Sequence, residues 1–238
     1  MRILGIESSS LVASVAVVTD DVVTAEYTVN FKKTHSQTLL PMLDEIVRMV
    51  ELPLESVDAV AVSGGPGSFT GLRIGSATGK GLGLALKKPL IHVPTVDAMA
   101  YGLYGCAALV CPIMDARRNQ VYTGLYDNRE GFSIVKEQRA MDMGELIDEL
   151  NDRGERVIFM GDGVPVYRAM IEEKMTAPYA FAPAHLNRQR AAAVAALGSI
   201  YYSEGRTISA AEHEPDYLRK SQAEREREAG LLEDVSLL

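Results

Sequence analysis

The sequence is poor in the patterns that mark disulfide-rich, zinc-binding and membrane proteins. Its 238 residues include two cysteines, Cys106 and Cys111, both within the apolar stretch CAALVC. Two cysteines in such a stretch supply no disulfide framework and no tetrahedral zinc site, so we expect both to be small buried hydrophobic side chains.

No run approaches the roughly 18 to 20 uninterrupted apolar residues of a membrane span. Arg2 is followed at once by strand-like residues rather than a signal-peptide core, and we predict a cytoplasmic protein.

Positive charge and paired histidines are also scarce. The formal net charge is −8, whereas phosphate binding depends on clusters of Lys and Arg, so we do not expect the chain to hold nucleic acid by itself. A charged partner could still supply such a cluster. Metal sites commonly use two histidines one helical turn apart, and no two histidines here have that spacing. We predict no bound metal and structural roles for His35, His92, His185 and His213.

The common phosphate and nucleophile motifs fail when tested position by position. Lys80 follows Gly79, but a Walker A loop would also need glycine at Ile74 and a hydroxyl residue at Gly81. The dinucleotide fingerprint fails as well, because the glycines of the first glycine-rich turn are spaced G-x-G-x-x-x-G. No G-x-S-x-G nucleophile elbow occurs. These failures argue against P-loop, Rossmann and serine-hydrolase chemistry.

The hydrophobic pattern predicts an α/β protein made of two similar halves. The first half has predicted strands over 3–6, 12–18 and 22–29, a helix over 34–51, a strand over 57–62, a helix over 70–86 and a strand over 90–93. The second half repeats this order, with strands over 109–114, 121–126 and 133–136, a helix over 144–151, a strand over 157–160 and a helix from 164. An alanine-rich helix is predicted over 186–203.

We therefore predict a duplication of two lobes, an N-terminal lobe over 1–104 and a C-terminal lobe over 105–238. The second lobe ends in the charged tail QAEREREAGLLED, which we expect to pack back on the first lobe. Thr34 and Gln37 are spaced as a capping box at the start of the first helix, where Pro41 makes the boundary uncertain.

Two polar turns are candidate phosphate contacts. In IESSS a strand ends in an acid and hydroxyl residues, whose amides and hydroxyls suit a phosphate; an ordinary hairpin turn is the competing interpretation. The turn SGGPG leads into a helix whose N-terminus attracts anions. The residues predicted to contact a nucleotide are Glu7, Ser8, Ser9, Gly65 and Gly67.

The helix after the second turn carries a stripe of four glycines at steps of four residues, on one face: Gly71, Gly75, Gly79 and Gly83. Each glycine inside a helix costs about 0.5 to 1 kcal/mol relative to alanine, so the stripe costs roughly 2 to 4 kcal/mol. A close contact with another backbone must offset this cost. The contact is either the protein's own sheet and first helix or a helix of a partner.

Five segments stand in order along nearly the whole chain: IESSS at 6–10, THSQTLLPMLDEI at 34–46, SGGPGSFTGLRIG at 63–75, MDARRNQVY at 114–122 and EPDYLR at 214–219. Together they resemble the TsaB family, also called YeaZ. The resemblance implies an actin-like fold of the ASKHA type with two duplicated βββαβα lobes. It also implies a non-catalytic accessory role in making N6-threonylcarbamoyladenosine (t6A) at position 37 of tRNA.

In the system that this resemblance implies, the related TsaD subunit is the transferase and holds a metal through two histidines. A separate ATPase, TsaE, engages the pair of TsaB and TsaD. In this chain His35 alone lies in the region of that histidine pair, so the metal site is expected to be missing. The chain would need no cofactor by itself, ATP or ADP would belong to the assembled complex, and tRNA would be reached only through that complex.

The resemblance further implies that two helices form the surface for TsaD, or for a second copy of the chain in a homodimer when TsaD is missing. An isologous helical pairing would serve both situations. The residues predicted for this surface are Leu39, Leu43, Ile46, Val47, Val50, Gly71, Arg73, Gly75, Gly79 and Gly83.

The main alternative hypothesis is a nucleotide-binding phosphotransferase or ATPase of the actin-like class. It rests on the two polar turns and their capacity to surround a phosphate. A peptidase is a weaker hypothesis, because the chain lacks both the histidine pair and a convincing nucleophile.

Overall fold

A computed structural model of the chain describes residues 1–32 and 34–218. The first part of the chain forms strands β1 (Arg2–Glu7), β2 (Val12–Thr19) and β3 (Val22–Asn30), helix α1 (His35–Met49), strand β4 (Ala59–Gly65), helix α2 (Phe69–Leu86), strand β5 (Leu90–Pro94) and helix α3 (Thr95–Tyr101). The second part forms strands β6 (Leu109–Asp115), β7 (Gln120–Asp127) and β8 (Ser133–Asp142), helix α4 (Met143–Arg153), strand β9 (Val157–Met160), helix α5 (Val164–Lys174), strand β10 (Tyr179–Phe181) and helix α6 (Ala191–Ser203).

The two sheets have the same topology, which confirms the predicted duplication. The first sheet has the order β3-β2-β1-β4-β5, and the second has β8-β7-β6-β9-β10. In each sheet the first three strands are antiparallel neighbours, and the last two run parallel to the central strand. After its βββαβα unit each half continues with one strand and one helix, of which β5 and α6 were predicted. The sequence analysis missed α3 and β10, because both are short and carry little periodicity.

Successive side chains of the central strand β1 point to opposite faces of the first sheet, and both faces are covered. Leu4 and Ile6 of β1 belong to one core cluster with residues of α1 and α2. Ile3, on the other face, packs with Val194 and Leu197 of α6. Gly5 permits the close approach of α6, because a Cβ at this position would overlap the Ala191 carbonyl oxygen. The last helix therefore packs on the first sheet, although it follows the second sheet in the sequence.

Helix α3 joins the two sheets through a buried carboxylate. Asp97 accepts hydrogen bonds from the Tyr126 hydroxyl of β7 at 2.6 Å and from the Tyr201 hydroxyl of α6 at 3.3 Å. Buried polar groups are costly unless they are paired, and these bonds satisfy the carboxylate at the junction. Asp97 thus ties α3 to both halves of the molecule.

Two local predictions differ from the structure, and the predicted charged tail lies outside the described residues. Thr34 is the N-cap of α1, but its side chain makes no capping hydrogen bond, so the capping-box prediction is wrong. Helix α6 begins at Ala191 rather than near Leu186. The intervening Asn187 and Arg188 instead bond to the backbone of Gly161, which holds this segment in a non-helical path.

Candidate functional site

The two polar turns predicted from the sequence lie side by side at the carboxyl ends of β1 and β4, which are parallel neighbours. The Ser68 amide donates a 2.6 Å hydrogen bond to the Ser9 carbonyl oxygen. Gly67 is needed at this junction, because a Cβ there would overlap the same oxygen. The structure therefore brings the IESSS turn into direct contact with the glycine-rich turn.

The polar groups of the IESSS turn are engaged inside the protein. Glu7, Ser8 and Ser9 are each 1% exposed. The Ser9 amide and hydroxyl both donate to Glu7 Oε1 at 2.6 Å. The Ser8 hydroxyl donates to the Gly71 carbonyl oxygen at 2.9 Å. These side chains hold the turn against the start of α2 and do not face solvent.

Burial raises the pKa of the Glu7 carboxyl above its ordinary value of 4.5, although the hydrogen bonds from Ser9 act in the opposite direction. The folded state therefore holds the Glu7 proton more tightly than the unfolded state does. The stabilising contribution of the protonated form is complete below the ordinary pKa. It is lost as the pH rises through the raised value.

We predict that Glu7→Gln reduces the loss of unfolding free energy between pH 5 and pH 8, because glutamine can accept the same hydrogen bonds without acquiring charge. Urea unfolding of both proteins at the two pH values measures the difference. Asp127→Asn is the control: the pKa of Asp127 is lowered to about 2 by Arg129, so its titration is finished below this range. Equal pH dependence in wild type and Glu7→Gln would contradict the prediction.

The last described residues cover the glycine-rich turn. The Asp216 amide donates to the Gly64 carbonyl oxygen at 2.7 Å, and the Asp216 carboxylate lies 3.1 Å from His92 Nε2. Gly65 has a φ of +125° and passes so close to the Asp216 carbonyl that a Cβ would overlap it. The described residues 214–218, part of a segment that carried the family resemblance, thus close over the turn that the sequence assigned to a nucleotide.

Three histidines have hydrogen-bond partners within the described residues, as predicted for structural histidines. His35 Nε2 lies 2.8 Å from the Ser10 carbonyl oxygen, and His92 contacts Asp216. His213 is fully buried, with Nδ1 2.8 Å from the Ser76 hydroxyl of α2. Burial, together with His92 and Lys80 nearby, lowers the pKa of His213 to about 4. Over residues 1–32 and 34–218, no group of three His, Cys, Asp or Glu side chains is placed to hold a metal ion.

The glycine stripe faces the protein's own sheet, which corrects its assignment to a partner surface. Gly71, Gly75, Gly79 and Gly83 are all buried. A Cβ would overlap the Ser8 carbonyl oxygen at Gly71, the Ser8 hydroxyl at Gly75, the Val62 side chain at Gly79 and the Leu90 side chain at Gly83. The cost of the four glycines is therefore offset by close contact of α2 with β1, β4 and β5.

Most of the residues predicted on α1 are also part of the core. Leu39, Leu43 and Ile46 are at most 6% exposed and pack with the first sheet. Val47 and Val50 are half-buried against the same cluster. Leu39, Leu43 and Ile46 attach α1 to its own sheet, which corrects their assignment to a partner surface. The assignment of the half-buried Val47 and Val50 stays a prediction.

Arg73 is the one predicted surface residue that is exposed. Its guanidinium lies 4.4 Å from the centre of the Phe69 ring, and that ring lies 4.8 Å from the ring of Tyr217. Cation–π contacts of this kind hold an arginine in a fixed position at a surface.

The outer faces of α1 and α2 enclose an apolar groove of about 430 Å³, lined by residues that include Leu40, Ala77 and Leu82. Leu40 is 54% exposed, and Leu84 at the end of the same surface is 65% exposed. We call the exposed residues of this surface the outer face: Leu40, Arg73, Ala77, Gly81 and Leu84. Apart from Arg73, sequence reasoning missed these residues, because it followed the more regular stripe on the opposite side of α2.

Gly81 is the glycine of α2 that the fold does not require. It is exposed in the middle of the helix, and beyond the nearby backbone of α2 itself a Cβ at this position would meet no described atom within 4 Å. Its helical propensity cost of about 1 kcal/mol is therefore not offset by any contact within the described chain. The sequence did contain this signal, since Gly81 falls out of step with the other four glycines.

No helix in the described part of the chain is both long and apolar enough to cross a membrane.

Comparison with known proteins gives a consistent set of relatives. The model of the family described as "TsaD: tRNA N6-adenosine threonylcarbamoyltransferase" matches residues 24–227. The "tRNA threonylcarbamoyladenosine biosynthesis protein TsaB" of Bacillus subtilis (strain 168) is 31% identical over 226 residues, covering 94% of this chain and 96% of the relative. The protein of the same name from Escherichia coli (strain K12) is 30% identical over 227 residues, with the same coverage.

Solved structures agree with the sequence relatives. YeaZ from Pseudomonas aeruginosa has a TM-score of 0.75 at 25% identity, covering 91% of this chain and 99% of that chain. The inorganic polyphosphate/ATP-glucomannokinase of Arthrobacter sp. strain KM has a TM-score of 0.50 at 12% identity, covering 86% of this chain and 99% of its own, which is a likeness of fold alone. With the two sheets of equal topology, these likenesses confirm the predicted actin-like fold.

Proposed function

The chain belongs to the TsaB branch of the family that the TsaD model describes, and from this membership we propose that it takes part in t6A biosynthesis as a non-catalytic subunit. In this role it binds a TsaD-type transferase and supports the activity of that subunit. The ATPase TsaE would then act on the assembled pair. Net charge of −8 favours a subunit that reaches tRNA through its partner rather than by direct contact.

The outer face is the observation that carries the proposal. Soluble proteins rarely leave a continuous apolar surface without a use, and here an apolar groove lies beside two leucines that are more than half exposed. Gly81 adds a second reason, because a backbone without a side chain allows another helix to approach closely. Helix against helix is the kind of contact that fits this groove, since its walls are themselves helices.

The same face would serve a homodimer when the transferase is missing. An isologous pair uses one patch twice, and a related partner with a similar fold can replace one copy. We propose that the two assemblies compete for the outer face, with the TsaD-type partner as the functional one.

An independent enzymatic role is less well supported. The Ser8 hydroxyl is bonded to Gly71 of α2 and the Ser9 hydroxyl to Glu7, and Asp216 lies against Gly64 and Gly65 where a phosphate was predicted. A nucleotide at these turns would have to displace those contacts. We therefore propose that ATP or ADP belongs to the assembled complex rather than to the free chain.

The proposal predicts a measurable change in tRNA. In cells depleted of their own TsaB, expression of this chain with a cognate TsaD-type transferase restores t6A, which is quantified by mass spectrometry of digested tRNA. Leu84→Glu fails to restore it, because a charge is placed on the outer face. Val166→Glu is the matched control, since Val166 is 57% exposed on α5, away from that face. Absence of t6A with the wild-type chain, at normal protein level, would overturn the proposed function.

A further inference from the structure

A second cavity lies away from both the polar turns and the outer face. It has a volume of about 230 Å³ and opens between α3, the first turns of α6, the end of β9 and the segment that precedes α6. Its walls therefore come from both halves of the molecule. Pockets for drug-sized ligands begin at about 300 Å³, so this cavity suits a smaller molecule.

Five of the twelve residues that line the cavity are alanine or glycine. Ala193 and Ala196 lie one turn apart on α6 and are half-buried at the cavity, whereas Ala191 and Ala195 of the same helix are fully buried against the first sheet. A leucine at either of the first two positions would fill much of the space. The small residues that line the cavity are Ala98, Gly102, Ala192, Ala193 and Ala196.

Two arginines also line the cavity, and both are held in place. Arg188 Nη1 donates to the carbonyl oxygens of Gly161 at 3.0 Å and Asn187 at 2.7 Å. Arg190 Nε donates to Glu26 Oε2 at 3.0 Å, so the charge of Arg190 is largely balanced within the protein. Fixed guanidinium groups lose little conformational entropy when they bind an anion.

Of the two arginines, Arg188 is the one whose charge is available to bind an anionic ligand. Its nearby acid is Asp162, whose pKa is raised by burial, which disfavours the charged form of that carboxyl. The positive charge of Arg188 acts in the opposite direction on that pKa, but within the described residues the two side chains do not form an ion pair. An apolar cavity with a guanidinium beside it is complementary to a carboxylate that carries a short apolar body.

We propose that this cavity is a binding site for a small organic carboxylate with a branched aliphatic or similarly compact apolar part. The apolar part lies against Ala193 and Ala196, and the carboxylate pairs with Arg188. Such a ligand would contact α3, α6 and β9 together and so stabilise one arrangement of the two halves. The site is separate from the outer face, so it does not depend on the proposed partner binding.

The test uses 4-methylpentanoate as the probe and 4-methylpentanamide as its uncharged counterpart. Titration followed by protein NMR is expected to give saturable binding of the carboxylate, with a dissociation constant on the order of 1 mM, and at least about tenfold weaker binding of the amide. Arg188→Gln is expected to remove this difference. Ala196→Leu is expected to abolish binding of both probes by filling the cavity.

Controls keep the outcome interpretable. Ala169→Leu makes the same change at an exposed position of α5 and should leave binding unchanged. If Ala196→Leu fails to fold, Ala193→Leu replaces it, because Ala193 lines the same cavity. No saturable binding of 4-methylpentanoate overturns the proposal. Equal binding of acid and amide, or unchanged binding in a folded cavity-filling variant, overturns it as well.

Discussion

Gly71→Ala is expected to lower the free energy of unfolding by about 3 kcal/mol or to prevent folding, because overpacking against backbone cannot be relieved by side-chain rotation. The new Cβ would overlap the Ser8 carbonyl oxygen, which lies in the turn that Glu7 and Ser9 hold in place. Either α2 or the end of β1 would have to move. Urea unfolding monitored by circular dichroism measures the change.

Gly81→Ala supplies the matched comparison, since it is the same substitution on the same helix. Beyond the nearby backbone of α2, its Cβ meets no atom of the described chain within 4 Å. We expect the free energy of unfolding to rise by about 0.5 to 1 kcal/mol, because alanine has the higher helical propensity. Opposite signs for the two variants would support the assignment of the stripe to the core. Tolerance of Gly71→Ala with loss of stability in Gly81→Ala would contradict it.

Gly75→Leu is expected to behave like Gly71→Ala rather than as a binding variant. If the stripe were a partner surface, this variant would lose partner binding while its lobe stayed folded. In the structure, however, the Ser8 hydroxyl occupies the space that a side chain at Gly75 would need. Loss of partner binding by this variant would therefore follow from unfolding. This is why the outer face, and not the stripe, provides the informative substitutions.

The fold was largely predictable from the sequence, because alternation in the strands and the repeated order of elements are local signals. Strands such as β1 and β6 are continuous apolar runs, typical of strands covered on both faces. The packing of α6 on the first sheet was not predictable, since nothing local says which sheet a nearly all-alanine helix will cover. Helix α6 begins only at Ala191 because Asn187 and Arg188 form long-range hydrogen bonds with Gly161.

The sequence identified the helix that belongs to the candidate site, but not which face of that helix points outward. The spacing of four placed Gly71, Gly75, Gly79 and Gly83 on one face of α2 and required a close contact, and both inferences hold in the structure. Periodicity alone cannot tell whether such a face points to the protein's own sheet or outward. The decision needs the neighbouring strands, where Val62 and Leu90 occupy the space that side chains would take.

The polar turns show a similar limit. Residue types indicated that Glu7, Ser8 and Ser9 could surround an anion, and the structure does bring their turn beside Gly67. The bond from the Ser8 hydroxyl to Gly71 and the cover supplied by Asp216 come from partners distant in sequence. A motif read in isolation does not reveal that its groups are already paired.

The central claim is that the outer face of α1 and α2 binds the TsaD-type transferase, and calorimetric titration of the two purified proteins tests it most directly. We expect a stoichiometric complex for the wild-type chain. Gly81→Leu and Leu84→Glu should each raise the dissociation constant at least about 30-fold. This increase corresponds to a loss of about 2 kcal/mol of binding free energy, as expected at an interface hot spot. Both variants should unfold at the wild-type temperature or above, and Val166→Glu should bind like the wild type. No complex with the wild-type chain, or equal affinity for all four proteins, would contradict the account.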